Sequence, residues 1–258
     1  MGDANSYLID LDKALQLKEE KREKIERSIA FIQEKVWGIF QDKISSVKIF
    51  GSYSRDTFIE KDSDADIDVL VVFKKQDYQS QTYLSKIMSF ASDYYPRSVV
   101  YADHPTIAIE LEHLKFEIVP GIFVTSEQVK IPAPKNIESK WILTNPTRFK
   151  IQLEKSDRNN RYLIKPTVRI LKFLNCINDK LFDSFDIERQ IANTTFSSSL
   201  IKDYFYQSIS SLEGIAKSEK QKKLISELKT RRKRLKTLET GGLSDYIETE
   251  LKSFLPMP

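Results

Sequence analysis

The chain has little that a disulfide or a zinc cluster could be built from. Its 258 residues include one cysteine, Cys176, which excludes an intramolecular disulfide. Its two histidines, His104 and His113, stand far from any Cys/His cluster of zinc-ligand spacing. Cys176 falls in an apolar stretch, where a thiol reads as a small buried hydrophobe. Long hydrophobic runs are missing too. No stretch approaches the roughly 20 apolar residues that span a bilayer, and the Met-Gly-Asp-Ala-Asn-Ser start enters a charged helical pattern without an apolar signal core. A reducing, cytoplasmic setting and no membrane partner are expected. An excess of one charge is also absent: 41 basic against 37 acidic side chains leave +4, so only local clustering can mark a nucleic-acid face.

What is present is ordinary globular material, 40% hydrophobic and 30% charged. It is long enough for two lobes. Residues 6–40 carry apolar positions at helical spacing, Leu8, Leu11, Leu15, then Ile25, Ile29, Ile32 and Val36, among Lys and Glu. They read as one long helix or two in series. From residue 47 the texture changes. A short strand, Val47-Lys48-Ile49-Phe50, meets Gly51-Ser52, and residues 69–73 form a continuous apolar run suited to a buried strand. Residues 81–95 are helical by pattern, and residues 98–101, 106–111 and 115–119 read as strands, the last stopping before Pro120. A proline-bearing link at 131–146 separates this α/β part from a remainder that is helical by pattern, which puts the domains at 1–145 and 146–258.

The chemistry lies in Phe50-Gly51-Ser52-Tyr53-Ser54-Arg55-Asp56-Thr57 and, nine residues after Thr57, Asp66-Ile67-Asp68. On a strand, residues i and i+2 face the same side about 7 Å apart, so Asp66 and Asp68 project together. Mg²⁺ is held by one or two carboxylates plus water and substrate phosphates, which is what this pair offers. Gly51 and Ser52, at a strand end, make a tight turn whose N–H groups and hydroxyl suit phosphate oxygens. Glu117, in Lys115-Phe116-Glu117-Ile118-Val119-Pro120, alternates with apolar neighbours and supplies the third acid for a two-metal site. Asp62, Asp64, Asp66 and Asp68 share one parity; Asp66 and Asp68 are preferred because they abut the apolar strand, with Asp64 in reserve.

Gly-Ser followed by Asp-x-Asp on a strand, with a later acid in Phe116-Glu117-Ile118-Val119-Pro120, resembles the DNA polymerase β-like nucleotidyltransferase superfamily. Within it the chain is most similar to the bacterial CD-NTase, or SMODS, branch, related to oligoadenylate synthetases. Trp141, Asn145-Pro146, the stretch from Lys165 to Asn175, and Ser184-Phe185-Asp186-Ile187-Glu188 look like that branch's helical lobe. The resemblance covers roughly residues 45–190 and implies an α+β fold: a mixed sheet with flanking helices, a C-terminal helical lobe, and an active site in the cleft between. It implies Asp66, Asp68 and Glu117 as ligands of two Mg²⁺ ions, with Mn²⁺ as a substitute. Gly51 and Ser52 would cradle the triphosphate, and Lys172 with Ser184 would reach it from the helical side. Glu117 stands where many relatives carry Asp, and Asp56 where many carry Gly.

The expected function is template-independent joining of nucleoside triphosphates into a cyclic or short linear oligonucleotide messenger, with a role in antiviral defence. Two rivals are a transferase acting on tRNA or protein, as a toxin would, and a catalytically silent nucleotide sensor. The run Arg231-Arg232-Lys233-Arg234 with Lys236 reads as the solvated face of a basic helix in preference to a nucleic-acid surface. Tyr94, Tyr95 and Tyr101 read as packing groups in preference to base-stacking ones.

Overall fold

The computed structural model of the protein describes residues 3–62, 65–74, 78–112, 114–135 and 138–258. The elements run α1 (Ala4–Leu15), α2 (Glu19–Phe40), β1 (Ile44–Ile49), α3 (Gly51–Ser54), β2 (Asp66–Phe73), α4 (Ser80–Tyr94), β3 (Val99–Asp103), β4 (Thr106–Leu111), β5 (Leu114–Phe123), β6 (Val129–Pro132) and β7 (Trp141–Thr144). Six longer helices follow: α5 (Pro146–Asn159), α6 (Ile164–Cys176), α7 (Ser184–Ala192), α8 (Ile201–Ser211), α9 (Glu219–Thr240) and α10 (Ser244–Phe254). The architecture is α+β, a mixed sheet with flanking helices and a helical C-terminal part. The long N-terminal pattern resolves into two helices. Asp3 caps the first by accepting from Ser6 N at 2.7 Å, and Glu19 and Glu20 open the second, where acids suit the helix dipole.

The chain divides into two compact units, neither of them continuous in sequence. One comprises residues 17–56 and 64–151. Its sheet has the order β1-β2-β5-β4-β3, with β6 on the far stretch of β5 and β7 on β6. β2 and β5 run parallel; the other pairs are antiparallel. On β2 the odd positions Ile67, Val69, Val71 and Phe73 are all buried. Phe73 meets Phe40 of α2 at 5.1 Å and Tyr83 of α4 at 5.1 Å, so those helices cover that face. The even positions begin with Asp66 and Asp68 and continue into Leu70 and Val72, which join Val119 and Val129 in a small apolar cluster.

β5 is longer than the sequence suggests, passing through Pro120 and Gly121 to Phe123. Pairing with β4 ends at Ile118 and pairing with β6 begins at Ile122. Pro120 therefore lies in an interval where a missing N–H costs no ladder bond on that flank. The link expected at 131–146 also holds strand: β6 and β7 have four residues each, too short to show an alternation.

The other unit comprises residues 1–16, 57–63 and 152–258. The boundary expected between 145 and 146 is thus drawn differently by the contacts. The first helix packs with the C-terminal helices, and the change of unit falls inside α5. α6 is its central element, with ten of its residues buried from Ile164 to Asn175. Asp157 caps α6 by accepting from Ile164 N at 3.0 Å and Lys165 N at 3.1 Å. Arg169 of α6 forks onto Asp12 of α1, Nε to Oδ1 at 2.7 Å and Nη2 to Oδ2 at 3.0 Å, both side chains being buried. Tyr7 donates to the Leu255 carbonyl at 2.7 Å, tying α1 to the end of α10. The basic run of α9 is more structural than expected. Arg231 and Arg234 pair with Glu250 at 3.0 Å each, and Arg232 donates to Tyr206 O at 2.8 Å and Ser210 Oγ at 2.7 Å. Cys176 is half-buried, not fully enclosed, and burial pushes its thiol up to about 11. Among the described residues no helix is long and apolar enough to cross a membrane.

Asp12→Ala should cost about 3–5 kcal/mol, because it leaves a buried guanidinium without its counter-charge. Urea denaturation measures this, and Asp12→Leu combined with Arg169→Met should recover most of the loss.

Candidate active site

The site is built on two adjacent parallel strands. β2 and β5 pair so that Asp66 lies beside Lys115 and Asp68 beside Glu117. Each strand thus places two polar side chains, at i and i+2, on the face opposite to α2 and α4. On the next strand Ala108 stands opposite Glu117, and its methyl leaves that flank open. The acids of that parity fall in different places. Asp66 and Asp68 lie on β2, Asp62 is held in the helical unit by Lys180 at 2.5 Å, and Asp64, like His113, lies outside the described residues.

Gly51 is dictated by this strand pair. It follows β1, where Phe50 N donates to Asp68 O at 3.0 Å, and it opens the one-turn helix α3 with φ at +68°. A Cβ at Gly51 would lie 1.6 Å from Asp68 Oδ2. Glycine is needed both for the left-handed conformation and for the close approach of backbone to carboxylate. Ser52 is the next residue of the same turn. Asp56 also adopts a positive φ, 60°, which accounts for a preference for glycine at that position and for its tolerance of Asp.

Charge on this face is crowded. Burial, then the Asp68 and Glu117 carboxylates, push the Asp66 carboxyl up to about 8, against the lowering effect of Lys115. Lys115, an ordinary strand residue by pattern, places its ammonium 2.6 Å from Glu117 Oε1 and 3.6 Å from Asp66 Oδ2. Burial opposes its charge, but the hydrogen bond and charge of Glu117, with the charge of Asp66, outweigh burial and raise its pKa. Thr106 Oγ1 lies 3.3 Å from the other oxygen, Glu117 Oε2, while its one proton has a shorter acceptor in the Asp103 carbonyl at 2.8 Å. Among the described residues no three carboxylate, imidazole or thiolate groups close around a common point that would hold an ion. The donor set nonetheless suits a hard divalent cation. It is all oxygen and half-buried, and its mutual repulsion is offset by a side-chain ammonium standing where positive charge is required.

The other nominated residues lie in the helical unit. Lys172 is buried and donates to Thr57 O at 3.0 Å and to Glu188 Oε1 at 3.4 Å. Thr57 also donates to Glu188, at 2.9 Å. Ser184 is the first residue of α7, after Asp183, whose side chain caps that helix. Of the tyrosines, Tyr94 stacks on Phe90 at 5.5 Å, Tyr95 meets Phe31 edge-on at 6.1 Å, and Tyr101 donates to Glu110 at 2.9 Å.

Residues 3–159, more than half of the chain, match the family model described as the Second Messenger Oligonucleotide or Dinucleotide Synthetase domain, SMODS. The chain belongs to the SMODS family. It is a nucleotidyltransferase, and membership in SMODS implies divalent-metal-dependent nucleotidyl transfer. Solved structures share the fold over nearly the whole chain. The CdnC:HORMA-deltaN complex of E. coli matches with a TM-score of 0.75 at 11% identity, covering 98% of this chain and 96% of that one. CdnG of Bradyrhizobium diazoefficiens, in complex with GTP, gives 0.74 at 12%, covering 97% and 98%. The cyclic AMP-GMP synthase DncV of Vibrio cholerae, with a linear intermediate, gives 0.75 at 10%, covering 94% and 92%. A CCA-adding enzyme of Saccharolobus islandicus is 28% identical over 105 residues, 39% of this chain. That match spans 25% of the curated relative's length.

Two outcomes follow from the geometry. Gly51→Ala should lower nucleotide incorporation by about tenfold or more, because the new methyl displaces Asp68; single-turnover incorporation checks it. The second concerns pH. A carboxyl whose folded pKa is raised destabilises the folded state progressively as pH climbs from the unfolded value through the folded one. In metal-free protein, Asp66→Asn should therefore raise the melting temperature, more at about pH 9 than at about pH 5, as differential scanning fluorimetry in EDTA will read.

Proposed function

We propose that the chain joins nucleoside triphosphates, without a template, into a cyclic or short linear oligonucleotide messenger in antiviral defence, with Asp66, Asp68 and Glu117 as the ligands of two Mg²⁺ ions. The observation that carries this reading is the register that sets Asp68 beside Glu117, and Asp66 two residues along the same face. When bound, two such ions supply charge neutralisation for the triphosphate and activation of the acceptor hydroxyl, and Mn²⁺ fits the same oxygen donors. The chain's own part is positioning. Gly51 lets the backbone of the phosphate turn approach Asp68, and Ser52 offers the next N–H and a hydroxyl to phosphate oxygens. Glu117 in place of Asp reaches one methylene further from β5, which the small Ala108 opposite it permits. The family resemblance assigns Lys172 and Ser184, both of the helical unit, to the triphosphate. The bonds of Lys172 to Thr57 O and Glu188 add a positioning role, holding the segment that follows α3 in the chain.

Incubation with labelled nucleoside triphosphates and Mg²⁺ or Mn²⁺ should yield phosphatase-resistant oligonucleotides, resolved by mass spectrometry. Asp66→Asn with Asp68→Asn should lower the yield by about 100-fold or more while leaving the circular dichroism unchanged. Absence of incorporation with every nucleotide mixture would sink the proposal. Because 105 residues resemble a CCA-adding enzyme, tRNA and protein are included as acceptors, and label on either in place of free oligonucleotide selects a transferase of that class.

A further inference from the structure

The polar face of β2 and β5 holds a cation of its own. Asp66, Asp68, Lys115 and Glu117 occupy four neighbouring positions of two parallel strands, the lysine beside Asp66 and the glutamate beside Asp68. The ammonium lies along two edges of this square, toward Glu117 on its own strand and toward Asp66 across from it. It is 2.6 Å from Glu117 Oε1, a tight charge-assisted hydrogen bond, and 3.6 Å from Asp66 Oδ2. The lysine, Glu117 and Asp66 side chains are only 22%, 17% and 24% exposed, so the pair is partly withdrawn from water and its attraction is weakly screened. Thr106 Oγ1 lies 3.3 Å from the second oxygen of Glu117, with its one proton closer to the Asp103 carbonyl at 2.8 Å. One oxygen of the third carboxylate is therefore engaged by the ammonium before any metal arrives.

Resting on the reading of Asp66, Asp68 and Glu117 as metal ligands, we propose that Lys115 is a tethered competitor for the divalent cation. It holds the carboxylates together in the metal-free protein and must leave Glu117 before an ion can bind there. The physical case is direct. Three carboxylates gathered on one half-buried face repel one another, and a cation close to two of them stabilises the arrangement. A lysine is suited to this because its point charge sits on a flexible stem and can withdraw, where an arginine fork would bind the carboxylates more rigidly. A place to withdraw to exists. Glu110 stands directly opposite Lys115 on β4 and is exposed. Displacement thus moves the ammonium from Glu117 toward another carboxylate, and the affinity of the site for a free divalent ion is lower than three carboxylates alone would give. The ion is favoured when it arrives with a triphosphate, whose own negative charge compensates for the ammonium still close by.

Lys115 acts through the carboxylates and is a positioning residue, so the test reads metal binding, not turnover. Mn²⁺ binding to the full chain, without nucleotide, is followed by the electron paramagnetic resonance signal of the free ion. Lys115→Met and Lys115→Gln should each tighten Mn²⁺ binding by about tenfold. They should also lower the melting temperature in EDTA and recover more of it on adding Mn²⁺ than the unaltered protein does. Lys115→Arg should restore the EDTA melting temperature without tightening binding. Unchanged or weaker Mn²⁺ binding by a folded Lys115→Met or Lys115→Gln protein overturns the proposal. Asp68→Asn and Glu117→Gln run in parallel. If they abolish binding while the lysine variants match the unaltered protein, only the competitor role fails. If they bind Mn²⁺ as the unaltered protein does, the metal-ligand reading fails first.

Discussion

The parallel pairing of β2 with β5 is the constraint on which the rest of the site depends. Neither strand carries a complete polar constellation; their register makes one, by laying Asp66-x-Asp68 alongside Lys115-x-Glu117. Because strand side chains alternate, a slip of one residue would turn one strand's polar pair into the helices and its apolar set toward solvent. The packing of Phe73 against Phe40 and Tyr83 penalises such a slip. The hydrophobic face thus fixes the geometry of the polar one.

The same pairing sets the electrostatics. Placing Asp66 beside two further carboxylates in a half-buried setting holds one proton on it into the neutral range. The protein offsets the crowding with one ammonium, directed at Glu117. The missing side chain at Gly51 does comparable work from the start of α3, since any other residue would contest the space of Asp68 Oδ2. Shape and charge converge on the two strands from opposite sides.

The parts of this arrangement that are local were legible in the sequence. Asp66 and Asp68 announce themselves because they abut an unbroken apolar strand and follow a Gly-Ser turn, and the third acid stands in an alternating strand. The length of β5 was hidden by Pro120, whose position between two partner strands cannot be seen from one segment. β6 and β7 were hidden by their brevity. Lys115 gave no signal, since a lysine two residues from a strand glutamate is indistinguishable from a solvated alternation until β2 is laid beside it. The partners of the first helix were equally hidden. Nothing near Asp12 in sequence indicates that its counter-charge is Arg169.

That first helix has a consequence for how the molecule is made. Its inward face, with Leu8, Leu11 and Asp12, is satisfied by Arg169 and by the carbonyl of Leu255. On the ribosome the helix emerges before its partners, which follow about 160 and about 250 residues later, over roughly ten seconds to a minute of elongation. The sheet-bearing unit has all its strands available well before the helical unit can close. The nascent chain therefore carries an amphipathic segment that has to wait, unburied, while about 250 further residues are made.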